Sequence, residues 1–558
     1  RLRKSLCHNP YLTKMSHSEV NCLLSNPSRF FSASLLATPV FFLLVLFDAP
    51  CTQAQSLASL EERITRVTSR PEFARSNFGI EFYDLETGKV VYALNADKLF
   101  VPASTTKLLT EGTVLAKLGP DYRFHTHIYR TGPIDKHGTL KGNLILVASG
   151  DPNLSNRIQP DGTLGFMDED HSYNGPALPG DPLAVIKDFA AQVAAKGIRK
   201  IEGRVYVDTG LMPDGEHEGG TGVTMSSIIV NDNIIDLTAT PGAKAGDPVA
   251  FGISPQTSYF HFVNAMTTGP ADSKVSFDAT DPAPRPDGSW EITFSGNVPQ
   301  GSGLNTVAYQ IPSPTPFAAW VLREALEAKG IEIKAKKSGA VVKDFAAFQR
   351  FYASENQMAE HVSPPLSEEI KITLKVSQNL HAGMGPYFLG LLVAKNTKDP
   401  LSAGFKLERA FLTDAKLDLS GASQGDGAGG DWADLFSPDF MCHYLAYWKT
   451  RPDFPVFYNG LPILGKDGTL AKIQKDNPGA GHVFAKTGTF AAEDKLNSRL
   501  MLNGKGLAGY VQTKAGKTLA FAAYVNHVAM PADPESAQKI AGQALGEIAA
   551  AAFDAPLP

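Results

Sequence analysis

The sequence has little cysteine and no excess of basic residues, and both deficits narrow its possible functions. Three of its four cysteines lie within the first 54 of 558 residues, so no intrachain disulfide is expected in the remainder. The fourth, Cys442, has apolar neighbours such as Phe440 and Leu445, which predict a buried core residue rather than a nucleophile. Acidic residues outnumber basic ones by 57 to 52, which argues against nucleic acid as a partner.

The sequence also lacks a hydrophobic run long enough to indicate a clear membrane span. The apolar stretch at residues 35–47 has the length of a signal-peptide core, Arg29 precedes it, and Thr52-Gln-Ala54 offers a small-residue cleavage site. We therefore expect residues 1–54 to contain a signal peptide and an upstream segment, with Met15 as a candidate start. The remaining chain would be exported to the periplasm or cell envelope. A lipoprotein signal at Cys51 ranks second, and an uncleaved anchor ranks third.

Length and the order of predicted elements indicate one α/β (α+β) domain that is split by an insert. Alternating apolar residues in 78–94 predict a hairpin, helical segments dominate after residue 315, and strands return near residue 482. Residues 55–122 and 316–558 are therefore expected to form one antiparallel sheet with flanking helices. Residues 123–315 contain short strand patterns between Gly/Pro-rich turns, which predict a β-rich accessory region of two modules.

A serine and a lysine three residues apart form the first candidate catalytic pair. In Ser104-Thr-Thr-Lys107 the spacing puts both side chains on one face of a helix, about one turn apart. A serine hydroxyl is a weak nucleophile until a base takes its proton, and a lysine with a lowered pKa can act as that base. The spacing alone is a weak signal, because Ser536-Ala-Gln-Lys539 repeats it in a predicted structural helix.

A second motif, Ser377-Gln-Asn379, lies on a predicted connection between two helices of the returning α/β domain. Ser377 could relay a proton to a leaving amine, and Asn379 could hold a substrate amide. The pattern is common by chance, so its position in the chain carries the inference.

A third motif, Lys486-Thr487-Gly488-Thr489, lies on a predicted strand. Its lysine and threonines can bind a carboxylate, and the glycine can let a ligand approach the strand edge. The backbone N–H groups of Ser104 and Thr489 are candidates for an oxyanion hole.

These three motifs, in this order, form the signature of penicillin-binding proteins and serine β-lactamases. The chain resembles one family among them, the D-alanyl-D-alanine carboxypeptidase/endopeptidases, which are low-molecular-mass class C penicillin-binding proteins of the penicillin-binding protein 4 type. The resemblance covers roughly residues 60–550. Its matching stretches are residues 100–107, 118–124, 150–154, 425–427, 461–470 and 485–489. The 273-residue step from Ser104 to Ser377 and the 109-residue step to Lys486 are typical of the family.

The resemblance implies a β-lactamase/transpeptidase-like fold interrupted by two nested accessory domains. It also implies a serine-type D-Ala-D-Ala carboxypeptidase that acts on peptidoglycan stem peptides and is acylated by β-lactams, with D,D-endopeptidase activity left open. No cofactor or metal is implied. Catalytic roles carry over to Ser104, Lys107, Ser377 and Asn379, and substrate-binding roles to Lys486, Thr487, Gly488 and Thr489.

Two departures from the family pattern keep other functions open. Where the family usually has Asp-Gly-Ser-Gly-Leu-Ser-Arg, this chain has Asp426-Gly-Ala-Gly-Gly-Asp-Trp432, so the arginine thought to bind the stem-peptide side chain is missing. Residues 490–506 form a longer stretch than usual, which predicts a longer hairpin, with a flap beside the site as the alternative. A β-lactamase or D-amino-acid amidase or esterase on the same scaffold remains an alternative function, as does a non-catalytic cell-wall-binding protein.

Histidines outside the motifs give weak signals. His125 and His127 alternate on a predicted strand with no third ligand nearby in the sequence, so we interpret them as a solvated strand face. His217 lacks the second histidine of a zinc-protease helix. The acidic run that ends at His171 (residues 168–171) predicts a charged loop.

Overall fold

The computed structural model describes residues 58–337, 342, 344–533 and 535–557. The predicted signal segment, residues 1–54, lies outside these residues. Within the described part of the chain, no helix combines the length and the apolar character that a bilayer crossing requires.

The described residues form helices that lie mostly after residue 300 and strands that fall into one large and several small sheets. The α-helices are α1 (Leu60–Thr68), α2 (Lys107–Leu118), α3 (Ala184–Ala195), α4 (Pro314–Ala328), α5 (Leu366–Lys375), α6 (Asn379–Phe388), α7 (Pro400–Asp414), α8 (Pro438–Lys449), α9 (Phe454–Asn459) and α10 (Gln543–Ala551). The strands are β1 (Asn77–Asp84), β2 (Lys89–Leu94), β3 (His125–Arg130), β4 (Thr139–Leu140), β5 (Leu144–Val147), β6 (Lys200–Ile201), β7 (Val205–Asp208), β8 (Ile234–Thr240), β9 (Ala250–Ser254), β10 (Phe260–Gly269), β11 (Ser276–Ala279), β12 (Ala283–Pro284), β13 (Trp290–Pro299), β14 (Asn305–Gln310), β15 (Glu332–Ile333), β16 (Gln357–Val362), β17 (Ala422–Ser423), β18 (Leu435–Phe436), β19 (Val483–Asp494), β20 (Arg499–Gln512), β21 (Thr518–Asn526) and β22 (Val528–Met530).

One antiparallel sheet joins the N-terminal and C-terminal parts of the chain. Its strand order is β19-β20-β21-β1-β2, and β22 pairs with β20. Strand β1 pairs with β21 along its whole length, from Asn77 opposite Asn526 to Asp84 opposite Leu519. The predicted mixed α/β class and the single sheet built from both ends of the chain are therefore confirmed.

Alternation along β21 explains why helices cover both faces of this sheet. Phe521 and Ala523 contribute to a core with α1 and α10 on one face. Ala522 and Tyr524 contribute to a core with α2, α5 and α8 on the other face. Successive residues of a strand point to opposite sides, so a strand that is apolar throughout is buried between two helical layers.

The β-rich region between the two halves forms smaller sheets around a core of its own. Their orders are β16-β3-β5-β7, β15-β6-β4, β14-β8-β9, and β10-β13-β11 with β12 beside β13. Helix α4 and strand β16 pack into this core through residues such as Phe317 and Met358. This packing favours a second boundary near residue 363 rather than 316, and the domain bounds otherwise stay a prediction.

The prediction of a charged loop at residues 168–171 is wrong for its last two residues. Asp170 and His171 are buried, and His171 begins a short 3-10 helix. Arg157 Nη2 donates to Asp170 Oδ2 at 2.5 Å and to Asp232 Oδ2 at 2.6 Å, and His171 Nε2 lies 2.7 Å from the same Asp232 oxygen. Buried charges persist where opposite charges and hydrogen bonds compensate them, and those partners come from other segments.

Candidate active site

Ser104 lies on a tight turn that leads into a buried helix. Ala103–Thr106 form a single 3-10 turn, called the serine turn below, and α2 begins at Lys107. Ala103 has a φ of 47°, in the left-handed region that side chains rarely adopt. A Cβ atom built on Gly429 would lie 2.0 Å from the Ala103 carbonyl oxygen, so only glycine permits this contact. The strained turn leaves Ser104 half-buried at the start of the helix.

Lys107 contacts the serine directly. Its Nζ lies 2.7 Å from Ser104 Oγ, 2.6 Å from Asn379 Oδ1 and 2.9 Å from the Ala428 carbonyl oxygen. The amide oxygen of Asn379 and the carbonyl oxygen of Ala428 can only accept hydrogen bonds. In the neutral amine they would take the two N–H groups, and the lone pair would be left for the Ser104 hydroxyl.

Burial increases the fraction of Lys107 that is neutral near physiological pH. The side chain has no exposed surface, and burial lowers the pKa of its ammonium group to about 8. The carboxylates of Glu218 and Asp426 oppose this shift, because negative charge favours the protonated lysine. A lysine with this pKa can exchange protons near neutral pH, which an exposed lysine does not do.

The connection between α5 and α6 brings Ser377 and Asn379 to the same place. Ser377 has a φ of 63°, and this left-handed residue turns the chain between the two helices. Its Oγ accepts a hydrogen bond from Lys486 Nζ at 2.8 Å, whereas Asn379 Oδ1 accepts one from Lys107. The first and last residues of this motif therefore form hydrogen bonds with two different lysines.

Strand β19 runs directly past the serine turn, and Gly488 makes this approach possible. A Cβ atom at Gly488 would lie 2.2 Å from the Pro102 carbonyl oxygen and 3.0 Å from the Ser104 backbone nitrogen. The missing side chain at Gly488 lets the serine turn pack against the strand, and the approach of a ligand to the strand edge stays a prediction. The close packing puts the Lys486–Thr489 segment beside the candidate nucleophile.

The two threonines of this segment are held by side chains outside the predicted motifs. Thr487 Oγ1 donates to Thr469 Oγ1 at 2.8 Å. Lys505 Nζ, on the neighbouring strand β20, donates to the exposed Thr489 Oγ1 at 2.5 Å. Thr489 is therefore an exposed residue whose hydroxyl contacts the buried Lys505.

Lys107, Lys486 and Lys505 form a buried cationic cluster. Burial, together with the charges of Lys107 and Lys505, lowers the pKa of Lys486 well below its usual range. Burial also lowers the pKa of Lys505 to about 8. A bound carboxylate would offset both the desolvation and the mutual repulsion of the lysines. The cluster is therefore suited to an anionic ligand.

The loop that follows Gly425 supplies a contact that the sequence did not indicate. The Asp426 carboxylate accepts hydrogen bonds from the backbone N–H groups of Ala428, Gly429 and Gly430 at 2.8, 2.6 and 3.0 Å. This arrangement fixes the Ala428 carbonyl oxygen against Lys107. Because the contact uses the backbone, it does not depend on the serine that the resemblance places at position 428.

Gln378 anchors the Ser377–Asn379 connection in the buried ion network of the accessory region. Its Nε2 lies 3.0 Å from Asp170 Oδ1 and 3.3 Å from Asp232 Oδ2. Tyr173 adds a second link, since its hydroxyl donates to the Ser377 carbonyl oxygen at 2.6 Å. The only sequence signal for Gln378 was its place between two motif residues.

The exposed Trp432, close in sequence to the Asp426 loop, contacts the half-buried Phe490 of β19. Trp432 is 75% exposed and meets Phe490 edge to face, with 5.1 Å between ring centroids. Residues 491–494 continue the pairing of β19 with β20, opposite residues 499–502. The prediction that this stretch forms a hairpin is therefore confirmed.

Two residues with competing interpretations are structural. Cys442 is buried, its Sγ lies 3.6 Å from the Glu81 carbonyl oxygen, and burial raises the pKa of its thiol well above the ordinary value. Lys539, in the second Ser-x-x-Lys pattern, is exposed and pairs with Glu535 at 2.5 Å. The core assignment of Cys442 and the structural assignment of the second pattern are both confirmed.

Comparisons with known proteins identify relatives of this chain. A sequence model of the D-Ala-D-Ala carboxypeptidase 3 (S13) family matches residues 60–546. The chain is 26% identical over 551 residues to a D-alanyl-D-alanine carboxypeptidase from Actinomadura sp. (strain R39), covering 92% of this chain and 94% of that protein. It is 24% identical over 441 residues to penicillin-sensitive carboxypeptidase A from Dictyostelium discoideum, covering 74% of this chain and 76% of that protein.

The fold has a counterpart among solved structures. It is similar to penicillin binding protein 4 from Haemophilus influenzae, with a TM-score of 0.65 and 20% identity, over 87% of this chain and 97% of that one. The family model spans most of the sequence, and all three motifs lie within it. The chain therefore belongs to the D-Ala-D-Ala carboxypeptidase 3 (S13) family.

Proposed function

We propose that this peptidase removes the terminal D-alanine of peptidoglycan stem peptides through an acyl-enzyme on Ser104. The observation that carries the proposal is the 2.7 Å contact between Ser104 Oγ and Nζ of the fully buried Lys107. A base that is partly neutral at physiological pH and in contact with a hydroxyl is what serine activation requires.

In the proposed acylation step, neutral Lys107 takes the proton of the Ser104 hydroxyl. The oxygen attacks the carbonyl carbon of the penultimate D-alanine, and the C–N bond to the terminal D-alanine breaks. The departing nitrogen receives a proton from Ser377 Oγ, which Lys486 reprotonates through their 2.8 Å contact. Free D-alanine leaves, and the shortened stem peptide stays attached to Ser104 as an ester.

Water completes the cycle by attacking this ester. Its hydroxyl adds to the acyl carbon, and its remaining proton restores Lys486 through Ser377. Lys107 returns its own proton to Ser104 Oγ as the ester bond breaks. The backbone N–H groups of Ser104 and Thr489 would stabilise the oxyanion of both tetrahedral intermediates.

The cationic cluster supports a substrate with a free carboxylate. Lys486 and Lys505, with the hydroxyls of Thr487 and Thr489, would bind the carboxylate of the terminal D-alanine. β-Lactam antibiotics carry a carboxylate beside a reactive amide, and we expect them to acylate Ser104 as well. A substrate in the cell wall also fits the expectation that the chain is exported.

Two probes test the proposal: a fluorescent penicillin, and diacetyl-Lys-D-Ala-D-Ala with released D-alanine as the readout. We expect stable labelling of the protein and D-alanine release, both abolished in Ser104→Ala. The matched control is Ser536→Ala, which removes the serine of the second Ser-x-x-Lys pattern and should retain both activities. A crosslinked muropeptide dimer, tested in parallel, measures any D,D-endopeptidase activity of the same site.

Other results would favour the alternatives. Rapid penicillin hydrolysis without peptide cleavage would indicate a β-lactamase. Labelling without turnover of either substrate would indicate a binding protein. If Ser104→Ala were labelled as strongly as the parent chain, the acyl-enzyme on Ser104 would be excluded.

A further inference from the structure

A cluster of two histidines and a glutamate lies on the accessory region and shares no residue with the candidate active site. His125 and His127 alternate on β3, and Glu360 on β16 stands directly opposite His127 in the antiparallel pairing. Glu360 follows His125 by 235 residues, so a third ligand is not evident from the sequence alone. The strand face that carries the two histidines therefore also has a carboxylate from β16 beside it.

The three side chains converge on a small volume. His125 Nδ1 lies 2.9 Å from Glu360 Oε1, and His127 Nε2 lies 3.2 Å from the same oxygen. All three ligand atoms lie within 4.8 Å of one another. Ligand atoms that surround one Zn²⁺ tetrahedrally at about 2.1 Å are separated by roughly 3.4 Å. Small side-chain rotations would therefore bring all three atoms to binding distance.

Surrounding contacts position two of the three ligands, His127 and Glu360. The His127 ring stacks on Tyr129, with 5.6 Å between centroids, and Tyr129 stacks on Tyr352 at 5.2 Å. The Gln192 side chain binds the backbone of Glu360 on both sides, with its Oε1 3.0 Å from the amide nitrogen and its Nε2 2.9 Å from the carbonyl oxygen. Metal ligands in proteins are commonly oriented by such outer contacts.

The side chain of Glu360 is also available to a metal ion. Within the described residues, its ion pairs are with the two histidines, and no lysine or arginine lies within salt-bridge distance of it. Among the described residues, no permanently charged side chain therefore competes with a metal ion for the Glu360 carboxylate.

We propose that His125, His127 and Glu360 bind one divalent transition-metal ion, with Zn²⁺ as the representative. Two imidazole nitrogens and one carboxylate oxygen suit Zn²⁺, Ni²⁺ or Cu²⁺, whereas Ca²⁺ and Mg²⁺ prefer all-oxygen sets. Water would complete the coordination on the solvent side. The ion would join β3 to the edge strand β16 and so stabilise the accessory region.

Isothermal titration calorimetry with ZnCl₂ on the untagged, chelator-treated full chain tests this site. We expect one ion per chain, and a loss of affinity of about tenfold or more in each of His125→Gln, His127→Gln and Glu360→Gln. The matched control is His137→Gln, an exposed histidine on a nearby turn, which should bind Zn²⁺ like the parent chain. Zn²⁺ should also raise the melting temperature of the parent chain and not that of the three variants.

The metal-free melting temperature of each variant shows whether it folds. Absence of Zn²⁺ binding to the parent chain overturns the proposal. Equal affinity in the parent chain and in folded variants of all three ligands overturns it too, since the ion would then bind elsewhere. Loss of binding in His137→Gln would point to a different site and count against this one.

Discussion

In the proposed mechanism, the protonation state of Lys107 controls whether Ser104 can react. The ammonium form has three N–H groups and three oxygen neighbours, from Ser104, Asn379 and Ala428, so it would donate to the serine and leave it inert. The neutral amine can instead accept the serine proton. Burial, which lowers the pKa of Lys107 to about 8, shifts the balance towards the active form.

This balance predicts both a pH dependence and a mutant phenotype. The rate of Ser104 acylation should rise with pH and level off above about 8, because the neutral amine is the reactive form. Lys107→Ala should acylate at least about 10²-fold more slowly and lose this rise. Time-resolved labelling with fluorescent penicillin between about pH 6 and 9 measures both effects. A rate in the parent chain that does not change with pH would contradict the assignment of Lys107 as the base.

For Cys442, in contrast to Lys107, we predict that substitution leaves the activity unchanged. Its thiol is buried beside Glu81, and burial raises its pKa well above the ordinary value, so it is neither accessible nor ionised. Cys442→Ala should therefore keep the penicillin-labelling rate and the D-alanine release of the parent chain, with only a modest loss of stability from the smaller side chain. Loss of labelling in a folded Cys442→Ala protein would overturn its assignment as a core residue.

At the scale of the elements, the spacing between β19 and the serine turn sets the geometry of the site. Gly488→Ala would place a methyl group 2.2 Å from the Pro102 carbonyl oxygen, a contact that only a shift of backbone can relieve. We expect β19 to move away from Ser104 and the rate of penicillin acylation to fall by about tenfold or more, since a misplacement of about 1 Å can cost 10²-fold.

The control for Gly488→Ala is Gly215→Ala, because a Cβ at Gly215 meets no atom within 4 Å. Comparing the melting temperatures of both variants with their labelling rates separates a local displacement from general unfolding. Unchanged acylation in Gly488→Ala would show that the strand tolerates the methyl group and that its distance from Ser104 is not critical.

Sequence motifs predicted which residues converge at the candidate site better than they predicted the contacts that position them. Ser104, Lys107, Ser377, Asn379 and Lys486 converge in the structure, because each belongs to a short pattern with its own chemical logic. The supporting contacts have no such pattern. The Ala428 contact is made by a backbone carbonyl, and Lys505 becomes adjacent to Thr489 only through strand pairing. Such groups are visible only once the tertiary fold is known.

The buried ion network around Asp232 could likewise not be predicted from the sequence. Asp170 and His171 stand in an acidic run, and acidic runs are usually solvated. Their burial depends on Arg157 and Asp232, and Gln378 connects that network to the Ser377–Asn379 connection. Local composition cannot indicate a compensating charge that arrives from another segment.

At the scale of the whole molecule, two distant parts of the chain form one sheet, and several carboxyl groups are buried. Glu111 on α2 and Glu408 on α7 are fully buried, and burial raises the pKa of each to about 8. Burial, with the neighbouring Asp426 charge, likewise raises the pKa of Asp434 to about 8. These groups make global stability depend on pH in a direction opposite to that of ordinary salt-bridged carboxylates.

The sign follows from proton linkage. A carboxyl group whose folded pKa is about 8 keeps its proton between pH 4.5 and 8, whereas in the unfolded chain it loses the proton above about 4.5. Unfolding therefore releases a proton in this window, and the free energy of unfolding falls as pH rises. One such group contributes up to about 1.4 kcal/mol per pH unit.

Glu408→Gln tests this linkage, because the amide keeps the shape of the side chain and cannot ionise. We expect the free energy of unfolding to fall less steeply with pH in the variant than in the parent chain between about pH 5 and 8, so that the variant gains relative stability at the alkaline end. Urea unfolding at a series of pH values measures both slopes. Glu355→Gln, at an exposed glutamate, is the matched control and should reproduce the parent slope. Parallel curves for Glu408→Gln and the parent chain would show that Glu408 is not protonated in the folded protein.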